Sequence, residues 1–257
     1  MKLGFEEEAS PFVGPTQSAR FWTENWVHRQ VYCPNCGQTS INKYENNRPV
    51  ADFYCGSCRE QYELKSQKTK FGTKVVDGAF RTMVERLADS NNPNLLLMNY
   101  DLKSLSVKNL CVIPKHFFVR EIIEERKPLA PAAQRAGWIG CNILLSQVPE
   151  SGKIFFVRDG QPLAKDAVLD KWRQTLFLRD ESVDARGWLI EVMKCVDAIG
   201  KREFELSDVY AFERRLSEIY PGNNNVRPKI RQQLQVLRDN GYLEFVSRGY
   251  CRLKGQA

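Results

Sequence analysis

The sequence predicts an α/β domain carrying a cysteine-bound zinc module, followed by a winged helix-turn-helix. Three observations support this. Compact apolar runs interleave with helical patterns through the first two thirds of the chain, as in an α/β layer. Two Cys-x2-Cys pairs punctuate its early part. After residue 182, three helical patterns are followed by a hairpin, so the expected domains are 1–182 and 183–257.

Each element has a local reason. The segment up to Pro15 reads as loop, and Ser18 can cap a helix through Phe21, Trp22 and Trp26. PVADFY and QYELKS read as short strands. Thr73–Asp89 reads as a helix with Val76, Phe80, Met83, Val84 and Leu87 inward. NPNLLLMNY, NLCVIP and KIFFVRDG are buried-strand patterns, the last after a loop-rich stretch from Lys127 to Gly152. Helices are then expected over Asp184–Ile199, Ser207–Tyr220 and Pro228–Asp239, with Ser207 as an N-cap and Pro228 in a first turn. GYLEFVSRGYCRL closes the chain as two strands around a Ser247-Arg248-Gly249 turn.

Composition narrows the function classes. Of 257 residues, 42% are hydrophobic and 27% charged, enough apolar surface for a real core and too much for a disordered chain. No apolar run reaches the ~18 residues of a membrane span. The start, MKLGFEEEAS, is acidic rather than a signal peptide. A cytoplasmic protein without a membrane partner is expected. With 38 Lys and Arg against 31 Asp and Glu, the net charge is +7. From Lys201 onward there are 11 basic and 7 acidic residues. This balance suits a polyanionic partner.

The cysteine unit is Cys33-x2-Cys36-x18-Cys55-x2-Cys58. Each pair can place two thiolates on one tetrahedral ion, and four thiolates close its shell, so the metal would be structural Zn²⁺. In a reducing compartment, Cys111, Cys141, Cys195 and Cys251 read as small buried hydrophobes.

Asp52 and Glu63-Leu64-Lys65 flank the second pair. On a strand, Glu63 and Lys65 share a face while Leu64 turns into the core. Asp52 and Glu63 with the Leu64 carbonyl can hold Mg²⁺, and Lys65 can position or help deprotonate a water, the requirements of phosphodiester hydrolysis. Exposed strands also alternate Glu and Lys, so the pattern alone leaves a solvated strand face open.

Asp-x10-Glu-x-Lys resembles the core of the PD-(D/E)xK nucleases. VYCPNCG, ENNRPVADFYC, ELKS, RKPLAP, RAGWIGCNI, LSQVP and IRQQLQVLRD, in this order, resemble the DpnI-like methyl-directed restriction endonucleases. The resemblance runs from around Trp26 to the C-terminal wing. It implies a monomeric, Mg²⁺-dependent enzyme that cuts double-stranded DNA at GATC carrying N6-methyladenine. It further implies a PD-(D/E)xK core with an inserted four-cysteine zinc module, and a C-terminal winged helix reading the same methylated site.

An adenine methyl group lies in the major groove and calls for apolar or aromatic contact. Trp138, with Arg135, is the candidate in the first domain. In the third helix of the second domain, Ile230, Leu234 and Leu237 face inward, so Lys229, Arg231, Gln232 and Gln233 can face a groove, with Arg248 and Tyr250 on the wing. A non-catalytic zinc and winged-helix regulator remains the alternative from another class, and a nuclease of different site specificity is the third reading.

Overall fold

The computed structural model describes residues 1–6, 9–45, 51–87 and 92–254. In chain order these form α1 (Pro15–Gln30), β1 (Asn42–Lys43), β2 (Phe53–Tyr54), β3 (Gln61–Gln67), β4 (Lys74–Ala79) and α2 (Phe80–Arg86). There follow β5 (Asn94–Asp101), β6 (Ser106–Ile113), β7 (Ile123–Glu125), β8 (Gly140–Leu144), β9 (Ile154–Arg158), β10 (Gln161–Pro162) and α3 (Lys165–Arg173). The last part holds α4 (Val183–Ile199), β11 (Glu203–Glu205), α5 (Leu206–Tyr210), α6 (Glu213–Ile219), α7 (Val226–Asp239), β12 (Leu243–Ser247) and β13 (Tyr250–Leu253). No helix among the described residues is long and apolar enough to cross a membrane.

A seven-stranded sheet ordered β1-β2-β3-β5-β6-β9-β10 organises the first part. Its β3–β5 pair is parallel and sets Glu63 opposite Leu95, Leu64 opposite Leu96 and Lys65 opposite Leu97. Residues paired in register point to one face, so alternation divides the sheet. Leu96, Met98, Leu110, Val112 and Phe156 pack with Trp26 and Val27 of α1 and Trp172 of α3. Leu95, Leu97, Cys111 and Ile113 face the other way, into a second cluster shared with the β4-β8-β7 sheet and the C-terminal helices. Glu63 and Lys65 stand on that second side.

The apolar cluster continues across residue 182. α4 is buried at every position from Gly187 to Val196 and packs within the same cluster as Phe117, Ile122 and Leu145 on one side and Ile230, Leu234 and Leu237 of α7 on the other. A helix buried all round belongs to a core, not to a surface. β11, β13 and β12 form the small antiparallel sheet of the wing.

Several expectations are corrected. Residues 74–79 are a strand, not the start of a helix. Val75 is buried and Val76 is 58% exposed, because pairing with Gly140–Leu144 imposes alternation on this β-branched stretch. Only Phe80–Arg86 is helical, and Asp89 lies outside the described residues. The same pairing places β8 inside the stretch read as loop. In PVADFY the strand is Phe53–Tyr54, while Pro49 and Val50 fall outside the described residues. α1 begins earlier, with Pro15 in its first turn, and Ser18 Oγ donates to the Phe12 carbonyl. Ser207–Tyr220 is two helices, and the N-cap is Glu205, whose capping box with Asp208 outcompetes a cap at Ser207. β1, β7, β10, β11 and α3 lie outside the strands and helices that the sequence patterns mark.

Candidate active site

The site is built on the β2–β3 hairpin, whose connecting turn is the Cys55–Cys58 segment. Two turns of the same construction face each other. In the first, the Gly37 N–H donates to the Cys33 carbonyl (2.9 Å) and the Cys33 N–H to the Gln38 carbonyl (2.8 Å). In the second, the Arg59 N–H donates to the Cys55 carbonyl (2.9 Å) and the Cys55 N–H to the Glu60 carbonyl (2.8 Å). The residue after each second cysteine is left-handed, Gly37 at φ 79° and Arg59 at φ 62°. Glycine takes that conformation freely and arginine at a cost.

These turns bring all four sulfurs within 4.8 Å of one another. Cys33 and Cys58 Sγ are 3.5 Å apart, and Cys36 and Cys55 Sγ 3.6 Å. Tetrahedral zinc with bonds of ~2.3 Å sets sulfurs about 3.8 Å apart, so the donor set fits structural zinc. The Tyr62 hydroxyl lies 3.2 Å from Cys33 Sγ, where it can donate to a thiolate. Burial pushes the Cys33 thiol up, whereas Cys36, where N–H and thiol donors outweigh burial, is lowered to about 7.

One residue beyond Tyr62, the same strand presents the second constellation. The Leu64 N–H donates to Asp52 Oδ2 at 2.7 Å, and the Asp52 N–H donates to the Tyr62 carbonyl at 2.9 Å. Asp52 is thereby fixed beside β3. Lys65 Nζ lies 2.6 Å from Glu63 Oε1 and 2.9 Å from Asp77 Oδ1. From α1, Arg20 Nη2 approaches Asp52 Oδ1 at 3.8 Å, and buried Glu24 pairs with Arg20 and with Lys43 Nζ (2.6 Å).

The electrostatics favour a cation. Burial pushes the Asp52 carboxyl above its usual range; the Leu64 donor opposes this and Glu24 adds to it. Burial also raises Glu63, helped by the charge of Asp77 and opposed by Lys65. Burial alone would lower Lys65, but Glu63 and Asp77 outweigh it, so Lys65 is held as an ammonium. Crowded carboxylates of raised pKa are what a hard, oxygen-seeking divalent ion relieves. The structure brings Asp52, Glu63 and Lys65 together along β3. The sequence reading missed Asp77, Arg20 and Glu24. For Asp77 a signal existed, a carboxylate two residues from the core-facing Val75, but it emerges only once 74–79 is known to be a strand.

The family model described as DpnI, Dam-replacing family, matches residues 1–181, and the Dam-replacing HTH domain matches 184–252. The chain belongs to the DpnI, Dam-replacing family. Family membership implies a nuclease, and its C-terminal part is a helix-turn-helix domain of the kind that binds DNA.

The candidate DNA-reading residues occupy two places. Trp138 is half-buried in the turn before β8, with the Arg135 guanidinium 4.8 Å over its ring. A Cβ at Gly140 would come within 2.7 Å of that ring, so glycine permits the indole to lie against the strand's first residue. Gly140 pairs with Ala79 and Cys141 with Asp77, which ties the Trp138 turn to the carboxylate cluster through β8 and β4. In α7, Arg231 and Gln232 are exposed, and Lys229 Nζ donates to Gln232 Oε1 (2.9 Å). Gln233 corrects the expectation of an outward polar face: it is 4% exposed. Three residues after Ile230 and four before Leu237, it falls on the inner face. Arg248 is exposed at the tip of the wing, while the Tyr250 hydroxyl donates to Glu205 (2.7 Å).

Proposed function

We propose that this chain is a Mg²⁺-dependent type II endonuclease that hydrolyses double-stranded DNA at GATC carrying N6-methyladenine. Residues 1–182 are the catalytic domain and 183–257 the DNA-reading winged helix. The convergence of Asp52, Glu63 and Lys65 on one side of β3 carries the catalytic part of the reading. The methylated site rests on the resemblance of the motif-bearing segments to the methyl-directed enzymes.

Asp52, Glu63 and the Leu64 carbonyl would hold Mg²⁺. Bound there, the ion would neutralise charge on the scissile phosphate and lower the pKa of a water. The protein's own contribution is positional. The Leu64 N–H locks the Asp52 carboxylate against β3. An ammonium has three N–H donors, and Lys65 directs two at Glu63 and Asp77, leaving one to orient a water or steady a phosphate oxygen. Trp138 and Arg135 offer an apolar plate with a cationic rim, suited to a methyl group beside guanine. Arg231, Gln232, Lys229 and Arg248 give the winged helix donors for bases and phosphates, while Gln233 supports the helix from inside.

The test is digestion of one plasmid, prepared with and without GATC adenine methylation, in Mg²⁺. Discrete fragments from the methylated plasmid alone are expected. No cleavage of either would overturn the reading in favour of a DNA-binding regulator, and cleavage of both would overturn the methyl requirement.

A further inference from the structure

We propose that Asp77 is a positioning residue of the nuclease site, a second carboxylate that, with Glu63, holds the Lys65 ammonium in its working place. This rests on the catalytic reading above and extends it to a residue outside the Asp-x10-Glu-x-Lys pattern.

Asp77 sits on β4, in a different sheet from β3. Alternation along β4 puts it on the same side as Val75, which packs into the apolar cluster. An apolar side chain is what such a position ordinarily holds, and a carboxylate there is unfavourable unless it is paired. The Asp77 side chain is 7% exposed and meets Lys65 Nζ at 2.9 Å. The backbone is adapted to this contact. The β4–β8 register slips between Asp77 and Ala79, so that Gly78 is the extra residue of a bulge. Bulges bend a strand and re-aim its side chains, and they recur beside active sites.

Glu63 alone would leave Lys65 free to swing about one 2.6 Å contact. Lysine carries its charge on a flexible four-carbon stem, and a second acceptor restricts the directions that one contact leaves open. Glu63 also has a competing duty as a cation ligand. Asp77 has none in this reading, and so remains on Lys65 when Glu63 engages a metal. The contact also joins the seven-stranded sheet to the β4-β8-β7 sheet, linking the Trp138 turn, through β8 and β4, to Lys65.

The experiment compares full-length wild type, Asp77→Asn, Asp77→Ser and Asp77→Glu. Single-turnover cleavage of a methylated GATC duplex is read in Mg²⁺, and Kd for the same duplex in Ca²⁺, each normalised to folded protein by thermal melting. The neutral variants should cleave about tenfold or more slowly while Kd stays within about twofold, and Asp77→Glu should recover part of the rate. Asp77→Ser, small and neutral, serves if Asp77→Asn does not fold. Val76→Thr, one residue away on the exposed side, should match wild type. Neutral variants within about twofold of the wild-type rate would overturn the proposal. So would a loss shared equally by rate and Kd, since that describes a merely structural residue. If wild type itself fails to cleave, the nuclease reading falls, which is a separate result.

Discussion

The cysteine cluster and the carboxylate cluster meet at the β2–β3 hairpin but are assembled in opposite ways. The cysteines come from two short turns whose own backbone hydrogen bonds, repeated from one to the other, aim the sulfurs at a common centre. The carboxylate site draws Arg20 and Glu24 from α1, Asp52 from the entry to β2, Glu63 and Lys65 from β3 and Asp77 from β4. The first is a closed shell of four donors and works as a brace. The second keeps Asp52 and Glu63 above the usual carboxyl range, chiefly by burial, which costs stability at neutral pH. Tyr62, on Cys33 with its side chain and on Asp52 with its carbonyl, joins the two.

This contrast predicts that damage to the two clusters separates into loss of rate and loss of stability. The largest effect belongs to the carboxylates. Asp52→Ala or Glu63→Ala should lower single-turnover cleavage by about three orders of magnitude, corresponding to ~4 kcal/mol of barrier, with DNA binding in Ca²⁺ nearly unchanged. Near-wild-type cleavage by either variant would remove that residue from the site.

Next in size is the brace. Cys55→Ser should leave less than one zinc per chain and lower the melting temperature by about 10 °C, as expected if the metal contributes ~3 kcal/mol or more to folding. Metal analysis and melting curves check this. Full stability without zinc would separate the brace from the fold.

A smaller effect, opposite in sign, sharpens the comparison. A carboxyl whose folded-state pKa is raised contributes stability that is complete below its unfolded value and lost as pH rises through the folded value. Asp52 is raised in this way, chiefly by burial. Asp52→Asn should therefore melt a few degrees higher than wild type at pH 7 without added Mg²⁺, even as it loses activity. The gap should shrink as pH falls toward 4, and calorimetry at both pH values reads it. A lower melting point at pH 7 would show that the charged Asp52 braces the hairpin.

The smallest effect lies on α7. Arg231→Ala should weaken DNA binding severalfold and reduce the slope of log K against log salt by ~0.9, the share of one phosphate contact. Gln233→Leu, inside the helix, should leave that slope unchanged. Anisotropy titrations at several salt concentrations distinguish the two.

The sequence by itself determined the features whose physics is local. Cysteine spacing fixed the metal-ligand set, alternation along β3 fixed the common face of Glu63 and Lys65, and the Ile230, Leu234 and Leu237 stripe fixed the inner side of α7. Only tertiary structure decided that residues 74–79 are a strand. Their apolar residues fit a helical spacing as well, and the hydrogen bonds that settle the matter come from Gly140–Leu144, more than sixty residues away (Asp77 pairs with Cys141). From that pairing follow the bulge at Gly78, the inward turn of Asp77 and its contact with Lys65. The approach of Arg20 and Glu24 likewise depends on α1 packing against the far side of the sheet. A polar side chain suggests an outward Gln233, yet it lies inside because rotation per residue, not polarity, sets a helix face. A ligand set carried by two short turns of like construction is written in its spacing, whereas a site gathered from several strands exists only once long-range pairing has chosen their register.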